Sequence, residues 1–143
     1  MGLDVYCRWP NMTQEEVDAQ YTGFRTTGKA GYLRKSWGGL SAWEKVFKGV
    51  FEISWSDMLF PGWDESNDGE GPDLTNPDER TRLLSNREKL QAFVDAPTPV
   101  PANLSPYFSD FGEAQETIIE EAKEIIYFID LALSKSGSEI HFS

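Results

Sequence analysis

One stretch of this chain gathers residues that could hold an anion: Phe24-Arg25-Thr26-Thr27-Gly28-Lys29-Ala30-Gly31-Tyr32-Leu33-Arg34-Lys35-Ser36-Trp37. Guanidinium and ammonium groups suit phosphate oxygens, mobile glycine backbone offers N–H donors, and flat aromatic faces accept nucleobases. The expected ligand-binding residues are Arg25, Lys29, Tyr32, Arg34, Lys35 and Trp37. The cations and glycines would face phosphate while Tyr32 or Trp37 stacks on a base. The competing reading is a solvated loop whose cations pair with the protein's own acids while its rings pack in the core.

Other candidate chemistry fails on residue type or spacing. His141 is the only histidine and lies two residues from the end, so a Ser-His-Asp or Cys-His site would need the tail to reach back to Cys7 or a serine. Cys7 is the only cysteine, which excludes an internal disulfide and a cysteine-based zinc site, and on a strand it reads as a small buried apolar residue. Asp64, Ser66, Asp68 and Gly69 match the opening of a calcium loop, but Pro72 and Thr75 fall where later oxygen ligands belong. Gly28-Lys29 lacks the spacing of a phosphate loop, and Lys29 is followed by Ala30 rather than a hydroxyl residue. The expectation is therefore no metal, no cofactor and no catalytic residue. A carboxylate-dependent hydrolase ranks last, because with 24 acidic residues some carboxylates will lie close in any fold.

The charge is unevenly spread. Between 25 and 48 six cations oppose one carboxylate, so this stretch carries +5 and the rest of the chain −16, for a net −11. From Glu52 to Glu79 there are nine acids and no cation, which makes that stretch the natural internal partner of the basic one. The overall balance argues against direct nucleic-acid binding. No apolar run approaches the roughly 20 residues that span a bilayer, and the start lacks an export signal. With a lone cysteine, the chain is expected to be cytoplasmic.

The 143 residues suit one domain, 1–143, with enough apolar and aromatic surface to fold unaided. The expected class is α+β: a small antiparallel sheet with strands near residues 3–8, 51–56 and 138–142, packed on a long C-terminal helix with two or three shorter helices. Leu3, Val5 and Cys7 alternate with polar residues, as do Phe51, Ile53 and Trp55 and the tail Glu139-Ile140-His141-Phe142. Thr13 and Glu16 form a capping box for a short helix to Gln20, and Ser41 and Glu44 form another before Trp43, Val46, Phe47, Val50 and Phe51. Residues Pro61 to Pro77 read as a surface loop and Asn76-Pro77 as a helix start. A repeated signal at Ser85 leaves one kinked helix or two short ones. Pro97, Pro99 and Pro101 make an extended connector. Ile118, Ala122, Ile125, Ile129 and Ala132 place the longest apolar stripe on a helix near Glu113 to Ser134.

The opening Met1-Gly2-Leu3-Asp4-Val5-Tyr6, the central Gly31-Tyr32-Leu33-Arg34-Lys35 and the acidic C-terminal helix resemble a loose group of small uncharacterised phage proteins. The chain departs from that group in lacking its aromatic, glycine-rich stretch before the last helix, for which Tyr107-Phe108-Ser109-Asp110-Phe111-Gly112 is only an approximate stand-in. The resemblance implies a viral origin, the host cytoplasm, and a counter-defence role that sequesters a nucleotide signal or blocks a host protein. The leading expectation is a non-enzymatic binder of an anionic, nucleotide-like ligand, with a homo-oligomer as the arrangement that would build pockets between subunits. The alternative is an acidic inhibitor of a host protein that partly mimics DNA through Asp57 to Glu79 and Glu113, Glu116, Glu120 and Glu124.

Overall fold

The computed structural model describes residues 2–20, 26–63 and 71–143. Three strands, β1 (Gly2–Arg8), β2 (Tyr32–Ser36) and β3 (Glu139–Phe142), form an antiparallel sheet in the order β2-β1-β3. Four helices join them: α1 (Gln14–Ala19), α2 (Trp37–Phe51), α3 (Pro77–Asp95) and α4 (Ala114–Ser134). The class is α+β, as the alternation and the long apolar stripe predict. Among the described residues, no helix is long and apolar enough to cross a membrane.

The strands at the two ends of the chain lie where their period of two puts them, with Leu3, Val5, Cys7, Ile140 and Phe142 buried on one sheet face. Against that face α4 buries Ile118, Ala122, Ile125, Ile129 and Ala132. Helix α3 packs along α4 through Leu83, Leu90 and Phe93. Each buried Ile, Leu or Phe among them contributes about 1.5–3 kcal/mol by leaving water, so α4 is the element that holds the molecule together.

The expected strand at 51–56 does not form. Phe51 ends α2, Glu52 turns left-handed at φ 63°, and its N–H closes the helix on the Lys48 carbonyl. The alternation of Phe51, Ile53 and Trp55 comes from turns that drop Trp55, Met58 and Leu59 into the core. The missing strand is instead β2, inside the stretch read as a ligand loop. Its partner register with β1 runs from Tyr6 opposite Tyr32 to Gly2 opposite Ser36.

Helix α2 also starts earlier than the Ser41 signal implies. Ser36 caps it by accepting from the Gly39 N–H at 3.1 Å, and Glu44 is released to bind Ser56. By contrast Thr13 and Glu16 form their reciprocal capping box, and Asn76 caps α3. Helix α3 runs through Ser85 as one helix, and buried Asn86, one residue on, donates to the Asp57 and Met58 carbonyls. The calcium-loop residues Asp64, Ser66, Asp68 and Gly69 lie outside the described residues.

Candidate functional site

Strand geometry decides where the predicted ligand residues go. Side chains alternate along β2, so Leu33 and Lys35 face the core beside Leu3 and Val5, while Tyr32 and Arg34 face the other side with Asp4 and Tyr6. Arg34 and Lys35, neighbours in sequence, cannot grip the same phosphate.

Lys35 reaches into a box of indoles. Its Nζ lies 2.7 Å from Glu121 Oε1 and 2.8 Å from Oε2, with Trp43 and Trp55 rings 5.5 and 5.8 Å away. Trp55 Nε1 donates to the same carboxylate at 2.9 Å. The two charged side chains are only 13% and 9% exposed, a setting in which an unpaired charge would cost several kcal/mol. The pair therefore ties β2 to α4 and to the turn after α2.

On the opposite face Asp4 receives two donors. Arg34 NH1 donates to its Oδ1 at 2.7 Å and the Tyr32 hydroxyl donates at 2.6 Å. Tyr32 stacks on Tyr6 at 5.0 Å, and the Arg8 guanidinium lies 4.8 Å above Tyr6. Burial, then the Asp4 contact, pushes the Tyr32 phenol well above its ordinary value, while the Asp4 bond raises Arg34. The Thr26 hydroxyl accepts from the Arg34 N–H at 3.0 Å and donates to its carbonyl at 3.1 Å, which closes this edge of the sheet at that residue.

The glycines are equally committed. The Gly28 N–H donates to Glu124 Oε2 at 2.7 Å, and a Cβ there would sit 2.1 Å from the Glu124 main-chain oxygen. Gly28 is thus a close-approach residue that docks the 28–30 turn on α4. Gly31 takes φ 86°, and buried Gln20 knits this turn to β1 by donating to the Cys7 and Ala30 carbonyls, both at 2.8 Å. Lys29 lies 4.6 Å from the Tyr127 ring centre. Trp37 is 36% exposed at the start of α2, and Arg25 lies outside the described residues.

Of the five predicted residues that are described, Tyr32 and Arg34 meet, both on Asp4. Among the described residues, the carboxylates seen to meet this segment are Asp4, Glu121 and Glu124.

A second constellation lies further along α2. Lys45 and Lys48, both exposed, border an open groove of about 450 Å³ whose wall carries Asn103 and Tyr107 and whose floor is Leu104 against Gly49. Among the described residues no carboxylate oxygen lies within 4.0 Å of either ammonium. Among the described residues, Lys48 Nζ donates to the Glu52 carbonyl at 3.1 Å. Glu44, the one acid lining the groove, accepts from the Ser56 N–H at 2.6 Å and its hydroxyl at 3.0 Å. Tyr107 is 38% exposed on a 3-10 turn, Ala102–Tyr107. The lysines belong to the basic stretch visible in sequence, but the ring that joins them comes from a distant turn that only the packed fold brings near.

Burial pushes the Cys7 thiol up to about 12, so it stays protonated and unreactive, as a small core residue should. His141 Nε2 lies 3.1 Å from Glu139 Oε2. Among the described residues no cluster of His, Cys, Asp and Glu is arranged to hold a metal ion. No family model, curated protein or solved structure matches the chain.

Proposed function

We propose that this chain is a non-enzymatic binding protein for an anionic, nucleotide-like ligand, with Lys45 and Lys48 facing phosphate and the exposed Tyr107 ring stacking on a base. The observation that carries the reading is the pair of ammonium groups without a carboxylate partner among the described residues, beside an exposed aromatic ring in an open groove. Helical spacing of three residues places the two lysines on one side of α2, as a bridging phosphate requires. Asn103 adds an amide that can donate to and accept from a base edge. Arg34 and Lys35 then hold the sheet rather than the ligand. With the resemblance to small phage proteins, the matching role is sequestration of a host nucleotide signal.

A thermal-shift screen with nucleotides and cyclic dinucleotides at fixed ionic strength tests this. A ligand at a hundred times its Kd adds about 2.7 kcal/mol, roughly 8 °C for a chain of this size. The double variant Lys45→Ala/Lys48→Ala and the variant Tyr107→Ala should each remove the shift. A flat screen, or a shift that survives both variants, rejects the groove.

The second reading, an acidic inhibitor of a host protein, is favoured by Glu113, Glu116 and Glu120, which are exposed along the start of α4. It is supported instead if a host protein is recovered in pull-downs and released by salt.

A further inference from the structure

Where α4 ends, the molecule has a groove of about 340 Å³ whose described lining contains two cations and no carboxylate. In a chain with net charge −11 this is the exception, since each of the other described grooves has at least one acid in its wall. We propose that this groove binds the phosphoryl group of a small zwitterionic phosphomonoester, independently of the Lys45 and Lys48 site.

The cations are Arg80 and Lys135. Arg80 donates from NH1 to the Leu74 carbonyl and from NH2 to the Leu133 carbonyl, both at 3.3 Å, and so keeps its full charge and its remaining N–H groups. Lys135 Nζ lies 5.1 Å from the Trp9 ring centre. Glu16 senses Lys135, but its carboxylate is bonded to the Thr13 N–H at 2.9 Å. Neither cation has a carboxylate within 4.0 Å among the described residues.

The end of a helix carries about half a negative charge, which two whole positive charges exceed. Part of that helix end is also already occupied. Ser134 donates to the Leu131 carbonyl at 2.8 Å, Ser138 donates to the Ala132 carbonyl, and Arg80 takes Leu133. The Ser136 hydroxyl has no protein partner among the described residues and supplies a further donor at the rim.

A neighbouring groove of about 360 Å³ shares Leu74, Thr75, Gly137 and Ser138 with it. That second groove carries the carboxylates of Asp73 and Glu139. A phosphoryl group at Arg80 and Lys135 would therefore extend its tail toward negative charge, which selects a cationic tail and disfavours a second anion.

Amide NMR titrations with O-phosphorylethanolamine and with inorganic phosphate, at constant ionic strength, decide the matter. The expected result is saturable shifts at Thr75 and Ser136 to Ser138, with the amine ester saturating at lower concentration than phosphate. Lys135→Gln should weaken the ester by about tenfold, the usual scale of one charged hydrogen bond. Ser136→Glu, which puts a carboxylate at the rim without touching Arg80, should weaken it as well in a folded protein. The proposal is overturned by shifts that do not saturate, by equal saturation with phosphate, or by ester binding unchanged in both variants. None of these outcomes depends on whether nucleotides bind at Lys45 and Lys48.

Discussion

Lys35 and Lys48 sit on consecutive elements of the same basic stretch, yet they live in different surroundings. Lys35 is enclosed with Glu121, Trp43 and Trp55, whereas Lys48 is exposed and donates to a main-chain carbonyl. The same division runs through the molecule. Arg34 and the Gly28 N–H meet Asp4 and Glu124, while Lys45, Arg80 and Lys135 meet no carboxylate within 4.0 Å among the described residues. A segment rich in cations and glycine is built for anions in both cases. What differs is whether the fold itself brings the anion, and that depends on residues far away in sequence.

The strongest way to break this comparison is to remove an internal anion. Glu121→Ala strips the partner from buried Lys35 and the acceptor from Trp55 Nε1, and it should cost about 3–5 kcal/mol in urea unfolding. Replacing both charges, as Lys35→Met with Glu121→Leu, should recover much of that, because the desolvation penalty disappears with the pair. Lys48→Met should change stability by less than about 0.5 kcal/mol, as surface substitutions do. If Lys35 and Lys48 proved equally tolerant, the division between structural and available cations would collapse.

How far the sequence reveals this is uneven for a physical reason. Period-two and 3.6-residue patterns report which face is buried, so β1, β3, α4 and the caps at Thr13 and Asn76 are legible from local residues. Strand β2 escaped because its alternation is only half apolar: Lys35 stands at a core position where a hydrophobic residue would announce a strand. Its burial is made tolerable by Glu121, 86 positions along the chain. In the same way, Phe51 to Trp55 imitated a strand because turns can bury residues at a spacing of two. Internal pairing of the basic segment was foreseeable from charge balance, but the roles of Asp4, Glu121 and Glu124 were not, since charge counts carry no geometry.

A smaller effect should come from the backbone approach that makes Gly28 a docking residue. Gly28→Ala forces a methyl to within 2.1 Å of the Glu124 main-chain oxygen, so either the turn lifts off α4 or α4 bends. Overpacking of this kind costs about 1–3 kcal/mol, read from the urea midpoint. Gly38→Ala, in the first turn of α2 with nothing within 4 Å of the added carbon, should instead gain roughly 0.5 kcal/mol from helix propensity. Opposite signs at two glycines of the same segment would sharpen the claim that Gly28 serves contact rather than mobility. A neutral Gly28→Ala would restore the mobile-loop reading.

A smaller effect than at Gly28 is expected at Asp4, whose pair with Arg34 is partly exposed. Asp4→Asn keeps an acceptor for both Arg34 and the Tyr32 hydroxyl while removing the charge, so it should cost about 1 kcal/mol. Its pH signature is more telling. Burial first, then Asp4, holds the Tyr32 phenol above its ordinary value of 10.0. The folded protein therefore keeps that proton where the unfolded chain loses it, and the resulting stability is complete below about pH 10 and declines as pH rises beyond it. In Asp4→Asn the phenol should ionise earlier, though still above its ordinary value because burial remains, and the decline should be shallower. Ultraviolet titration of the phenols and stability curves above pH 10 should move together. An unchanged Tyr32 titration in Asp4→Asn would mean that Asp4 is not the anion this face was built around, and would return Arg34 to the set of cations available to a ligand.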